Sequence, residues 1–216
     1  MPTGKGKIRI ALMATAMALL AGCHEPQQNQ QPAGESTTKE PSDMRTVIPL
    51  VRRLEPTDTG PIELEFDVHG QPDDPAPPLF IGMRVAGRDG TAVGKVVDQL
   101  RAADISTEIH LYRIEQSGQA AVALQRSQRI GRGQVGQVVV TPDGMVPGLS
   151  PVDADFTSMQ AAGLVLPGQV YRELEFAGAS SVPSGRYRAV IRLDQDRHAV
   201  FDANAELIIA YNRKAK

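Results

Sequence analysis

The sequence predicts a mainly β chain, an antiparallel β-sandwich of immunoglobulin-like or related type with two short connecting helices. Three observations predict it. Apolar and acidic residues alternate strictly over Ile62–Val68. Apolar stretches of strand length recur along the rest of the chain between glycine- and proline-bearing turns. Only two stretches carry a helical stripe or a helix start, and short strands in hairpin-like order favour a sandwich over a parallel sheet.

The elements follow in order. Ile62, Leu64, Phe66 and Val68 make one face of a strand and Glu63, Glu65 and Asp67 the other, the pattern of a sheet with one wet side. His69 to Pro78, with its prolines, is a loop before the strand Leu79–Val85. Val93, Val96, Val97 and Leu100 fall at i, i+3, i+4 and i+7, a helical stripe. Strands are expected over Ile109–Ile114, Ala121–Leu124 and Val135–Thr141. Ser150-Pro151-Val152-Asp153 reads as a helix start, with Ser150 as N-cap and Pro151 at the first helical position, Phe156 and Met159 facing inward, and Gly163 as the stop.

Val170, Leu174 and Phe176 form one face of the next strand, and Tyr187, Ala189, Ile191 and Leu193 one face of the one after it. Paired as a hairpin with apolar faces together, they put Glu173 and Glu175 on the outer face with Arg186 and Arg188. Each opposite-charge pair would add ~0.2–1 kcal/mol. Ala205, Leu207, Ile209 and Tyr211 give the last strand. The segment PSGRYRAVIRL, Pro183 to Leu193, resembles the Gly-x-Tyr start of a strand in many immunoglobulin-like sandwiches.

Ahead of this body lies a different kind of sequence. Lys5, Lys7 and Arg9 precede an uncharged apolar run, Ile10 to Leu20, shorter than the ~20 residues of a membrane-spanning helix. The run ends Leu20-Ala21-Gly22-Cys23, which resembles the lipobox of bacterial lipoproteins. That resemblance implies cleavage after residue 22, lipid on the Cys23 sulfur and acylation of the new amine. Cys23 is the chain's single cysteine, so it has no internal disulfide partner. Several acyl chains at ~0.8 kcal/mol per buried methylene make such an anchor permanent, where one chain is marginal. His24 stands where an aspartate retains enteric lipoproteins at the inner membrane, so the resemblance implies the outer membrane, facing the periplasm.

Residues 1–22 are thus read as signal peptide, 23–43 as a polar tether and 44–216 as one β-rich domain. The tether has no Ile, Leu, Val or aromatic residue and cannot offset its own ordering entropy. Its length gives a reach of roughly 25 Å. Without the signal's three basic residues the chain keeps 20 Lys and Arg against 25 Asp and Glu, near −5. That balance excludes a nucleic-acid partner.

Chemistry-bearing motifs are absent from the sequence. His24, His69, His110 and His198 show no metal-ligand spacing, and there is no G-x-S-x-G elbow or phosphate-binding glycine loop. No cofactor is expected. Asp194, Asp196 and Asp202, with His198 and Asn204, form an acidic turn that is the best candidate for calcium, but it lacks the glycine and distal glutamate of an EF-hand. Arg126, Arg129 and Arg132 recur every third residue, either as a solvated basic edge or as a patch for an acidic partner. In the loop Thr141–Gly148, Met145 and Val146 either cap the core or form a contact site.

The expected function is therefore a non-catalytic, lipid-anchored protein-binding module. Lipobox, polar tether, acidic strand-rich domain and the basic run Arg213-Lys214-Ala215-Lys216 together resemble small lipoproteins of immunity function that neutralise delivered toxins. The alternatives are an assembly lipoprotein of an envelope complex and an envelope-modifying hydrolase. The hydrolase would need His110 or His198 to meet a carboxylate in a cleft.

Overall fold

Strands β2 (Ile62–Val68), β11 (Gly185–Leu193), β4 (Thr107–Glu115) and β5 (Gly118–Ala121) lie side by side in that order, all antiparallel, with β8 (Met145–Val146) also on β4. A larger antiparallel sheet runs β1 (Leu50–Arg53), β12 (Glu206–Tyr211), β3 (Leu79–Gly87), β10 (Val170–Ala179), β6 (Gln125–Gly131), β7 (Gln134–Val139), with β9 (Ser150–Val152) also on β10. This is the computed structural model, which describes residues 45–57, 59–69, 77–193 and 197–213. Cys23, the signal, the tether, Asp194, Asp196 and Lys214 to Lys216 lie outside them.

The two sheets face each other as the predicted sandwich. Leu64, Phe66 and Val68 of β2 and Tyr187, Ala189 and Ile191 of β11 pack with Leu79, Ile81 and Met83 of β3 and Leu207 and Ile209 of β12 in one core. Phe66 and Tyr187 stack at 6.0 Å between ring centroids. The buried Tyr187 hydroxyl needs an acceptor and donates to the Pro183 carbonyl at 2.6 Å. Helix α1 (Gly90–Ala102) is the predicted stripe: Asp89 caps it through the Thr91 N–H at 2.8 Å, and Val93 and Leu100 enter the core.

The predicted hairpin does not form. Val170–Ala179 and Gly185–Leu193 lie in opposite sheets, so their apolar faces meet across the core instead of side by side. Arg186 and Arg188 pair with Glu65 at 2.8 Å and Glu63 at 2.5 Å, carboxylates from the other end of the domain sequence. The predicted helix start is also corrected. Ser150–Val152 is strand β9, tolerating Pro151 because it is a short edge strand. Helix α2 (Phe156–Ala161) begins later, capped by Asp155, whose carboxylate accepts the Ser158 N–H. Met159 is buried as expected, whereas Phe156 is exposed. Gly163 ends the helix with φ +71°. A third helix, α3 (Arg197–Asp202), occupies part of the predicted acidic turn and buries Val200.

Over β1, β12 and β3 the large sheet is covered on both faces. Beneath α2, its outer face buries Val51, Phe80, Ile208 and Ala210 against Met159 and Leu164. Strand β10 carries a bulge between Glu175 and Ala177 and crosses β3 so closely that a Cβ on Gly82 would sit 1.9 Å from the Leu174 carbonyl oxygen. Only glycine fits at that position.

Candidate functional site

Two exposed apolar zones stand out on the described surface, and sequence reasoning reached one of them. The first is the β6–β7 ribbon. Its segment Gln125–Val139 contains Arg126, Arg129 and Arg132 and no acid, in a chain that is acidic overall. The ribbon pairs with β10 of the large sheet at Gln125↔Gly178, and side-chain bonds from Ser127 to Glu175 and from Ser150 to the Ser127 carbonyl add to that junction. A Val140 N–H bond to the Leu124 carbonyl at 2.9 Å closes the base of the ribbon itself. Among the described residues β7 pairs only with β6, so its outer edge has no strand partner there. Ile130, Val135 and Val139 are 63, 67 and 63% exposed.

The three arginines do not share one face. Arg126 and Arg129 are three positions apart on a strand and point to opposite sides. Arg126 reaches Gln128 along its own side at 3.1 Å, and Arg132 sits in the connecting turn. They line the ribbon's two faces and tip rather than forming a flat patch. Met145 and Val146 separate as well: Val146 is 1% exposed and belongs to the core, while Met145 is 41% exposed. The loop before them is fixed internally. Asp143 accepts from the Thr141 hydroxyl at 2.5 Å and the Met145 N–H at 3.1 Å, and these bonds hold its carboxyl below the usual range.

Of the acidic-turn residues, Asp202 closes α3 and is exposed. No cluster of three metal-ligating side chains exists among the described residues. His69 follows β2 and His198 lies in α3, and both are exposed. His110 does meet a carboxylate, Glu108, at 3.2 Å, but the two are neighbours on one face of β4. Glu108 is also paired with Arg192 at 3.4 Å, and Tyr112 stacks on the His110 ring. The group therefore forms part of the charged outer face of the small sheet.

The second zone was missed. A cavity of about 760 Å³ opens beside α2 on the outer face of the large sheet. The segment leading into α2 builds one wall, strapped down by the Asp155 N–H to the Tyr211 carbonyl and the Arg213 N–H to the Asp153 carbonyl, both 2.8 Å. Tyr171 and Glu173 of β10 line it with Phe156, Met159, Val165 and Val170. Its mouth carries Phe156, 60% exposed, with the exposed Leu166 close by, tied to the Tyr171 hydroxyl through its N–H at 3.0 Å.

Charge is distributed unevenly there. Across three neighbouring strands Glu173, Arg84 and Glu206 stand in one row. Arg84, 6% exposed, gives Nε and Nη2 to Glu206 at 3.0 and 2.7 Å and Nη1 to the Leu164 carbonyl at 2.8 Å. Its guanidinium lies 4.8 Å over the Tyr171 ring. One cation thus serves one of two carboxylates, and Glu173 has no ion pair among the described residues. Burial lifts the Glu173 carboxyl above the ordinary glutamate range against the opposing pull of Arg84. Glu175, further along β10 and 6% exposed, is also raised by burial, with hydrogen bonds from Ser127 working the other way.

The signal for this zone was present in the sequence. Leu79-Phe80-Ile81 is apolar at both parities, the mark of a strand covered on both faces. A glutamate beside such a strand cannot be an ordinary wet-face residue. No family model, curated protein or solved structure matches the chain.

Proposed function

We propose that the chain is a membrane-anchored lipoprotein of the cell envelope, held through acylated Cys23 at the outer membrane facing the periplasm. There it acts as a non-catalytic protein-binding module of immunity type. The observation that supports this reading most is the open edge of the β6–β7 ribbon. An unpaired strand offers a row of free N–H and C=O groups, and an extended segment of a partner can add to it as a further strand. Arginines on both ribbon faces and no acid select an acidic segment. The exposed Ile130, Val135 and Val139 supply apolar contact.

In an immunity role the ribbon would enter and cover an acidic cleft of a delivered toxin. In an assembly role, the alternative, it would hold a fixed neighbour in the same membrane. Two measurements test the proposal. Radioactive palmitate should label the chain and fail to label Cys23→Ala. A fluorescent extended peptide alternating valine and glutamate should bind the full chain, weaken with salt, and lose binding in Arg129→Glu/Arg132→Glu. Equal binding of a valine–lysine peptide would defeat the strand-addition reading.

A further inference from the structure

The cavity beside α2 carries a second inference, independent of the ribbon. We propose that it binds an organic cation on an apolar stem, an alkylammonium or guanidinium group of the kind a lysine or arginine side chain presents. The first support is the odd carboxylate. Glu173 lines the cavity, and the three guanidinium groups around it are engaged elsewhere. Arg84 is held by Glu206 and Leu164, Arg213 lies 3.8 Å from Asp153, and Arg172 turns to the Tyr171 carbonyl at 3.3 Å. A carboxylate half-withdrawn from water, with no ion pair among the described residues, carries a desolvation cost that a cation brought to it offsets.

The second support is the wall chemistry. Phe156, Met159, Val165, Val170 and Tyr171 give an aliphatic stem something to lie against. The exposed Phe156 ring at the mouth adds a face for the cation itself. Tyr171 already holds Arg84 in this way, so the same sheet face shows the contact in use. The lining acids Asp153, Asp155 and Glu173 outnumber the lining bases Arg172 and Arg213, so the field also favours a cation. The volume falls within the ~300–1,000 Å³ of small-ligand pockets.

Two sources of such a group exist: an outside segment, or the chain's own Lys214 and Lys216, which follow the cavity-lining Arg213 in sequence. We assign the cavity to the outside cation. The test is calorimetric titration of the full chain with short end-blocked peptides, otherwise uncharged, that carry a single lysine, arginine, norleucine or glutamate. Lysine and arginine peptides should bind about tenfold tighter than the norleucine peptide, and the glutamate peptide should not bind. Glu173→Gln should abolish the preference for lysine over norleucine while leaving the fold intact.

Equal binding of norleucine and lysine overturns the proposal, and so does an undiminished preference in Glu173→Gln. Tighter lysine binding by Lys214→Ala/Lys216→Ala overturns the assignment to an outside source and gives the cavity to the chain's own lysines. Unchanged binding by that variant supports the assignment.

Discussion

The outer faces of the two sheets carry the same residue types and treat them in opposite ways. On the small sheet, Arg186 and Arg188 reach Glu65 and Glu63 across neighbouring strands, with side chains half in water. Water screens these pairs and can replace either partner. On the large sheet, Arg84 is buried between Glu173 and Glu206, binds Glu206, and leaves Glu173 without an ion pair among the described residues. Water reaches that row only in part: Arg84 is buried, while Glu173 and Glu206 are half-buried at the edge of the face that α2 and the segment after it cover. A charge pair on a wet face decorates a strand, whereas a charge row on a partly covered face places one of its carboxylates in the wall of a cavity.

The sharpest way to break the comparison is to remove one arginine from each face. Arg84→Met leaves the buried Leu164 carbonyl without its donor and the half-buried Glu206 without its cation, and should lower stability by about 1–3 kcal/mol, less than a fully buried pair would lose. Urea unfolding of the full chain measures it. Adding Glu206→Gln to that variant should restore part of the loss. If Arg84→Met costs no more than a surface substitution, the two faces do not differ in kind.

A smaller effect tests the core the faces share. Tyr187→Phe keeps the stacked ring but leaves the Pro183 carbonyl without its donor, an expected loss of about 0.5–1.5 kcal/mol.

Glu173→Gln sharpens the comparison in the other direction and should raise the melting temperature near neutral pH. The sign follows from the cause. Burial raises the folded-state carboxyl above its unfolded value, so the folded chain binds the proton more tightly. The resulting stability is fully present below the unfolded value and is lost as pH rises through the folded one. At neutral pH the glutamate is therefore a burden that glutamine removes. The variant should also flatten the pH dependence of melting in that acidic window, leaving the share that belongs to Glu175. Arg84, Asp153 and Arg172 act on the same carboxyl and stay in place as the constant background.

Smallest of all, Arg188→Met on the wet face should change stability by about 0–1 kcal/mol, read from the same urea curves. A loss as large as that of Arg84→Met would erase the distinction between the two faces.

Much of the fold was legible in the residues, because local periodicity reports local burial. Ile62–Val68 alternates and has one wet face; Val93 to Leu100 repeats at helical spacing and is a helix. Misreadings arose where local signals allow two outcomes. Ser150-Pro151 has the chemistry of a helix start, yet pairing with β10 drew it into an edge strand and moved the cap to Asp155. Glu173 and Arg188 have the right parity to face each other in a hairpin, and parity cannot say which sheet a strand joins. The arginine triplet was visible as a spacing of three, but a strand repeats every two, so the same spacing splits it between faces.

The sequence alone determined a strand-built body with short helical connections, the excess of acid over base, and the single cysteine in a lipobox-like setting. These follow from composition and nearest-neighbour order, which folding does not alter. Only the tertiary structure decided that β10 and β11 part into opposite sheets, that α2 lies over part of the large one, and that Arg84 answers Glu206 and leaves Glu173 without an ion pair among the described residues. Those outcomes depend on which distant strands meet, and a charge acquires its cost or its partner only after the chain has closed around it.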